Sequence, residues 1–311
     1  MKVAIAAPER RRRGIHVGVP QSRGATAAVL QAPSILLLAA VAVFPVLYSI
    51  NLSFRAFSLI LPGMTGQWVG TDNYARMLSD GDFWHSVVLT IVFVLVGVTI
   101  ELTLGIALAV VIDSLKVGRR LLTSLLLIPM ILTPLVIGLM YNFLFNAQFG
   151  LLTYLIRSVG IPLPDGVLGN PGTAFAALIF TDIWEWTPFM ALIVLAGLQS
   201  IPSEPLQAAR VDGAGSWTIL RYVTLPMLRP LIAVALVFRA AEAVKEFDKV
   251  YILTGGGPGN STDVVDLFTY RVSFANWDMS YGSALGIVLF VVSLIAGAAM
   301  FFFVFDRRGA A

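Results

Sequence analysis

The chain has no cysteine and only two histidines, His16 and His85, among its 311 residues. Without thiols it can form no disulfide and carry out no thiolate chemistry. Two histidines, one in the amino-terminal tail and one just before an apolar run, make a histidine-based metal site or catalytic triad an unfavourable hypothesis. Charged residues make up only 13% of the chain, which excludes an ordinary soluble domain.

Motifs for catalysis are missing as well. The sequence contains neither His-Glu-x-x-His nor Gly-x-Ser-x-Gly, and no paired aspartates lie in a recognisable site. A glycine-rich stretch at 253–262 superficially suggests a phosphate loop, but the Gly-Lys-Ser/Thr ending is absent. We therefore predict that the chain is not an enzyme and has no catalytic, cofactor-binding or metal-binding residue of its own.

What is present is apolar sequence. Hydrophobic residues make up 58% of the chain, and the mean hydropathy is +0.85. Six apolar runs are each long enough to cross roughly 30 Å of hydrocarbon. They lie near residues 33–53, 86–112, 121–145, 174–198, 231–253 and 284–305. This pattern predicts an all-α integral membrane protein, with six transmembrane helices in a domain that covers residues 31–311.

Basic residues between the runs predict the orientation, because they concentrate in the cytoplasm. The amino-terminal tail, residues 1–30, carries Arg10 to Arg13 and is expected to be a disordered cytoplasmic segment rather than a nucleic-acid-binding one. Segments assigned to the inside hold many more basic residues than those assigned to the outside, which carry Arg55, Arg76, Arg157 and Arg271. Both termini are therefore predicted to be cytoplasmic, in a multi-pass bacterial inner-membrane protein.

A polar stretch at 203–226, here called the elbow, lies between the fourth and fifth runs on the predicted cytoplasmic side. Ser203 and Ser216 are suited to cap two short helices, and Pro226 is suited to end the second of them. Gly213 allows a sharp end to the first helix, because glycine tolerates a positive φ. The stretch is too polar to cross a bilayer, and we interpret it as a rigid helical connection presented to another protein.

The elbow resembles the coupling loop of permease subunits of binding-protein-dependent ABC importers, whose pattern is Glu-Ala-Ala, three residues, Gly, nine residues, Ile-x-Leu-Pro. The spacing is intact, with Gln in place of Glu and Val in place of Ile. The resemblance implies that the ATPase-coupling residues are Gln207, Ala208, Ala209, Asp212, Gly213, Leu225 and Pro226. At the first of these, a neutral hydrogen bond is implied where relatives make an ionic contact.

Ionisable side chains also occur within the runs, where they normally face a cavity or a partner group. In the fourth run, Asp182, Glu185, Trp186 and Phe189 follow i, i+3, i+4, i+7 spacing and so share one helix face. The fifth run repeats the spacing with Arg239, Glu242, Ala243 and Glu246. Such faces suit a polyhydroxylated ligand. Equally, they could be ion pairs that hold helices together.

Other polar features of the runs have a simpler interpretation. Glu101 is a single buried carboxylate, for which we expect a hydrogen bond to a neighbouring span. Asn142 is expected to bond between helices in the same way. Pro129 and Pro134 predict a kink or an unwound segment in the third run, because each removes a backbone bond.

The resemblance extends over nearly the whole chain from the first run onward. Counting from the elbow, it matches the eight residues of the two helix faces to the sugar-lining positions of maltose-type permeases. It implies an importer for a sugar or sugar-like solute. It also implies partners: a second six-span permease, two cytoplasmic ATPase subunits that bind ATP and Mg, an extracytoplasmic solute-binding protein and membrane lipid. The Leu-Thr-Gly-Gly-Gly-Pro segment at 253–258 is typical of carbohydrate-class permeases.

A second hypothesis is an ion-coupled secondary transporter. Kinked helices and intramembrane carboxylates such as Glu101 and Glu185 are what such a protein would use. The absence of an evident second half related by inverted symmetry argues against it, as does the elbow. The two hypotheses differ in energy source, which is ATP in the first and an ion gradient in the second.

Overall fold

The structure, a computed structural model, describes residues 23–60, 63, 65–115 and 117–306. The first 22 residues of the predicted tail, Arg10 to Arg13 among them, lie outside the described residues. The chain divides into two units, residues up to Tyr48 and residues from Ser49 onward. The first unit belongs to helix α1 (Arg23–Ser53), which begins ten residues before the apolar run that predicted it.

Helices dominate the second unit because its apolar stretches are long and its breaks coincide with proline, glycine or polar clusters. Its helices in chain order are α2 (Asp72–Ser79), α3 (Gly81–Ser114), α4 (Arg119–Ile131), α5 (Pro134–Leu144), α6 (Leu151–Ser158), α7 (Pro171–Ser200), α8 (Ser203–Val211), α9 (Ser216–Ile219), α10 (Leu225–Val244), α11 (Asp248–Leu253), α12 (Val265–Tyr270) and α13 (Met279–Asp306). A two-stranded antiparallel hairpin, β1 (Arg55–Phe57) and β2 (Thr65–Trp68), precedes α2.

Four of the described helical stretches are long and apolar enough to cross a membrane: Leu30–Ser53, Gly81–Ser114, Pro171–Ser200 and Ser216–Val244. A fifth candidate is the pair α4 and α5, which is bent by 92°. Helix α13 contributes a shorter apolar stretch, Met279–Ile295. The prediction of an all-helical membrane protein is thus confirmed, and so is the break predicted at Pro129 and Pro134.

Helices α3 and α7 form the closest pair in the second unit, and glycines on α3 allow their approach. A Cβ added at Gly105 would lie 2.6 Å from the Met190 Cβ and 2.9 Å from the Ala191 backbone nitrogen. One turn away on the same face is Glu101, and one further turn away is Gly97, where a Cβ would lie 3.4 Å from an Asp182 carboxylate oxygen. Small residues therefore bring the two backbones close to a polar position.

Replacing Gly105 with alanine is expected to destabilise the chain by about 1–3 kcal/mol, because the added methyl group collides with the α7 backbone. The matched control is Gly286→Ala in α13, where a Cβ meets nothing within 4 Å. Alanine favours helix, so the control should be neutral or slightly stabilising. Thermal unfolding of the two detergent-solubilised variants compares them, and equal transition temperatures would contradict this account of the packing.

The segment between α1 and α3 packs on the start of α13 through a small polar group. The Tyr281 hydroxyl donates to the Asp80 carboxylate at 2.7 Å, and the Arg76 guanidinium lies 4.0 Å from the centre of the Tyr281 ring. Arg76 also pairs with Asp278 at 2.7 Å. These contacts fix the start of α13 to α2 and the residue that follows it, about 200 residues away in sequence.

Candidate functional site

A network of six charged side chains lies inside the helical bundle of the second unit. Its members are Glu101 on α3, Asp182 and Glu185 on α7, Arg239 on α10, Glu246 between α10 and α11, and Lys249 on α11. Each is at least 92% buried in the chain by itself, and four of the six expose nothing. Burying charges is costly unless they are paired, so the contacts within this network determine whether the bundle can form.

Arg239 is held from two sides. Its Nε and Nη2 donate to the two Glu101 carboxylate oxygens at 2.8 and 2.9 Å, a bidentate arrangement that fixes the guanidinium plane. Its Nη2 also donates to Asp182. The Trp186 ring covers the guanidinium, with 4.6 Å between the ring centre and Cζ, whereas Nη1 is buried without a hydrogen-bond partner. Arg239 thus joins α3, α7 and α10.

Lys249 is the second cation of the network. Its Nζ donates to Asp182 and Glu185 at 2.5 Å each and lies 3.0 Å from Glu246. Because Asp182 contacts both cations, the two halves of the network share one carboxylate. The break between α10 and α11 makes this geometry possible, since it turns Glu246 and Lys249 towards α7 instead of continuing the helix.

The structure thus separates the predicted substrate-pathway residues into two layers. Asp182, Glu185, Arg239, Ala243 and Glu246 are buried. Asp182 pairs with Arg239, whereas Glu185 and Glu246 pair with Lys249.

The remaining three lie nearer the surface. Trp186 and Phe189 are half-buried and make an edge contact with each other, and Phe189 also contacts the exposed Phe238 ring at 5.4 Å. Glu242 exposes 41% of its side chain and lies 3.6 Å from Lys245. The surface layer is therefore aromatic, with a carboxylate one helical turn away.

Several predictions about single residues are confirmed. Glu101 bonds to a neighbouring span, through Arg239. Asn142 on α5 donates to the Leu253 carbonyl at 3.0 Å, at the end of α11. Lys249 was not predicted from the sequence to belong to the network. The break before α11 changes which helix face Lys249 lies on, so the spacing of the fifth run does not extend to it. Its i+3 spacing from Glu246 was the available signal.

Replacing Lys249 with methionine leaves the buried Glu185 and Glu246 carboxylates without a cation and Asp182 with Arg239 alone, and it should destabilise the chain by about 3–5 kcal/mol. Lys245→Met is the matched control, since Lys245 is 58% exposed and its ion pair is worth at most about 1 kcal/mol. The yield of folded protein and its thermal unfolding in detergent measure the difference. Similar losses for the two variants would show that the buried network does not stabilise the bundle.

The elbow consists of α8, α9, the connection between them, and the chain from Leu220 to Pro226 at the start of α10. Gln207, Ala208, Asp212 and Gly213 are exposed, and Val211 exposes 87% of its surface. Other predicted coupling positions, Ala209, Leu225 and Pro226, are half-buried. A cleft of about 430 Å³ lies between the elbow and the ends of α3 and α7.

The local structure of the elbow corrects three predictions. Neither serine caps a helix with its side chain, because Pro202 and Gly215 hold the cap positions. Pro226 does not end the second helix either. A π-helical turn, Leu220–Thr224, joins α9 to α10, and the Leu225 N–H donates to the Leu220 carbonyl. Because the hydrogen-bond pattern changes from i→i−4 to i→i−5 in this turn, the helix accommodates the missing N–H of Pro226 and continues through it.

The glycine-rich stretch after α11 forms a compact turn. The Thr254 and Thr262 hydroxyls bond at 2.7 Å, and the Thr262 N–H donates to the Gly256 carbonyl at 3.1 Å. Asp263 follows and pairs with Arg271. Burial raises the pKa of Asp263 to about 6, although the Arg271 guanidinium acts to lower it. The turn is thus held by its own contacts, as a connection between two helical elements.

Long apolar helices and a sharply broken span define an integral membrane protein, in which a buried charge network and an exposed polar elbow are the prominent polar features. Comparison with known proteins identifies the class further. The chain belongs to the family of binding-protein-dependent transport system inner membrane components, which matches residues 101–309. It is a multi-pass inner-membrane permease of an ABC importer. This family membership supports the ABC importer hypothesis over the ion-coupled secondary transporter. The family implies that ATP is bound by partner subunits.

Three similar proteins illustrate the family. The trehalose/maltose transport system permease MalF of Thermococcus litoralis is 37% identical over 73% of this chain and 76% of its own length. The sulfoquinovosyl glycerol transport system permease SmoG of Agrobacterium fabrum is 36% identical over 88% of each chain. A bacterial alginate ABC transporter, solved with a pentasaccharide-bound periplasmic protein, has the same fold, with a TM-score of 0.75 at 19% identity over 88% of this chain and 92% of that one.

Proposed function

We propose that the chain crosses the inner membrane six times and places both termini and the elbow in the cytoplasm. Four single candidate spans, the bent α4–α5 pair and α13 together supply six. At 28 residues, α13 rises about 42 Å, enough to cross the hydrocarbon region with its apolar part. The excess of basic residues in the amino-terminal tail, around Arg119 and in the elbow supports the orientation.

In this arrangement the chain is one of two permease subunits, and each permease contacts a cytoplasmic ATPase subunit that binds ATP and Mg. The elbow is the contact surface. Its exposed residues, Gln207, Ala208, Val211 and Asp212, meet the ATPase, and Gln207 hydrogen-bonds as a neutral group. Motion of the elbow passes into α10 through the π-helical turn, since α9, the turn and α10 are one continuous helical stretch, Ser216–Val244.

Gly213→Ala should weaken coupling, because Gly213 has a φ of +78° that a residue with a Cβ adopts only with strain. Gly215→Ala is the matched control: it lies two residues away, has a φ of −71° and also has open space around a Cβ. In the assembled transporter, solute-stimulated ATPase activity should fall several-fold for the first variant only. Equal activity in the two variants would show that the backbone of Gly213 is unimportant for coupling.

The solute, we further propose, passes over the aromatic surface layer formed by Trp186, Phe189 and Phe238. Aromatic rings stack on the apolar face of a sugar, and the nearby Glu242 carboxylate can accept hydrogen bonds from hydroxyl groups. The buried residues Asp182, Glu185, Arg239, Ala243 and Glu246 lie behind this surface and belong to the pathway as its support. An extracytoplasmic binding protein delivers the solute.

The charges of the site favour an uncharged, hydroxyl-rich solute. Both buried cations, Arg239 and Lys249, are already bound by carboxylates, and four carboxylates surround the two of them. An anionic solute would find both cations of this network already paired with carboxylates. The site therefore fits a trehalose- or maltose-like solute better than a sulfonated one.

Glu242→Gln removes the exposed carboxylate and should raise the solute concentration needed for half-maximal uptake, since a charged acceptor bonds a hydroxyl more strongly than an amide does. Asp72→Asn, an exposed carboxylate on α2, is the control. The measurement is ATP-driven uptake by the complete transporter in proteoliposomes. If Glu242→Gln lowers only the yield of complex, the residue is a structural ion-pair partner of Lys245.

Uptake by the reconstituted complex also tests the proposed function as a whole. Uptake should require ATP, the ATPase subunits and the binding protein, and it should persist when an uncoupler removes ion gradients. Movement of solute by the purified chain alone would contradict the proposal.

A further inference from the structure

We propose that Glu101 is a positioning residue for the solute pathway, acting through Arg239 on Trp186. The inference rests on the proposed function, because it assumes that Trp186 faces the solute. Glu101 lies on α3, behind the aromatic surface layer, and exposes none of its surface. It cannot touch a solute from there, so its influence must pass through the residues in front of it.

The contacts form a direct chain from Glu101 to the surface. Both Glu101 oxygens accept from Arg239, at 2.8 and 2.9 Å, so the guanidinium cannot rotate about its long axis. One face of that fixed guanidinium lies against the Trp186 ring, 4.6 Å from its centre. A cation over an indole attracts it most strongly when both are shielded from water. Glu101 thereby sets the angle at which Trp186 presents its other face.

Burial makes the arrangement sensitive to Glu101 in particular. Arg239 has one remaining donor, Nη1, which is buried and has no partner. A guanidinium released by Glu101 would gain by turning to satisfy that donor, because an unpaired buried donor is costly. Asp182 holds Arg239 through Nη2 alone, and a single contact does not fix the plane. Loss of Glu101 therefore frees Arg239 to leave the Trp186 ring without removing its charge partner altogether.

The test is a double-mutant cycle between Glu101→Gln and Trp186→Leu in the complete transporter, with the solute concentration for half-maximal uptake and the maximal rate measured separately. Glu101→Gln should raise the half-maximal concentration about three- to tenfold, as expected for loss of a buried cation–π contact. In the Trp186→Leu background, the same substitution should change it less than twofold, because the residue through which Glu101 acts is gone.

Glu246→Gln is the matched control. It removes a buried carboxylate from the same network but contacts Lys249 instead of Arg239. The change that Glu246→Gln causes in the half-maximal solute concentration should be the same whether residue 186 is tryptophan or leucine. Equal effects of Glu101→Gln in the two backgrounds would mean that Glu101 only stabilises the bundle, and the inference would be overturned while the proposed pathway stood.

Two further results separate this inference from the proposed function. If Trp186→Leu itself leaves uptake unchanged, the pathway assignment is wrong, and the inference that depends on it is wrong too. If Glu101→Gln does not assemble, Glu101→Asp replaces it, since aspartate keeps the buried charge but is too short by one methylene for the bidentate contact. Failure of both variants to assemble would show that Glu101 serves the fold alone and would overturn the inference.

Discussion

Pairing of two buried cations with four carboxylates is the constraint on which the rest of the bundle depends. Arg239 and Lys249 expose nothing, and neither could be buried without the acidic residues of α3 and α7. Their pairing requires those helices to lie close together and at one register. The glycines Gly97 and Gly105 on α3 permit the close approach of α3 and α7. The break before α11 turns Lys249 towards the carboxylates of α7.

The same network connects the surface layer to the elbow. Arg239 lies on α10, and α10 continues without interruption from the elbow through the π-helical turn at Leu220–Thr224. A continuous helix that begins in the elbow at Ser216 and carries a fixed buried cation further along can transmit a displacement between them. Its hydrogen-bond pattern changes just where Pro226 would otherwise break it, which preserves that continuity.

Much of the architecture could be predicted from the sequence because it depends on composition and periodicity. Apolar length predicted the helices, proline predicted the break between α4 and α5, and the resemblance at 207–226 predicted the family. Which charges pair could not be predicted in this way. The i, i+3 spacing of Arg239 and Glu242 would allow a pair within one helix, yet Arg239 bonds to Glu101, 138 residues earlier, and Glu242 lies near Lys245 instead.

The reason is that pairing between side chains on different helices depends on how each helix is rotated about its axis and how far it is shifted along that axis. The spacing of residues within one helix determines neither. The elbow shows the opposite error. There local rules predicted serine caps and a stop at Pro226, but the neighbouring helix continued through a π-helical turn that relieves the proline. In the elbow, local sequence preferences were overridden because the π-helical turn provides other hydrogen-bond partners for the backbone N–H and C=O groups.

The order of the network along the chain has a consequence for biosynthesis. Glu101, Asp182 and Glu185 are synthesised well before Arg239 and Lys249, so a ribosome delivers three acidic side chains to the membrane before any of their cations exists. Each costs roughly 2.5–3.5 kcal/mol to insert at mid-membrane depth without a partner. The chain up to the end of α7 therefore lacks both cations of the network, and folding of this subunit waits for the synthesis of α10 and α11.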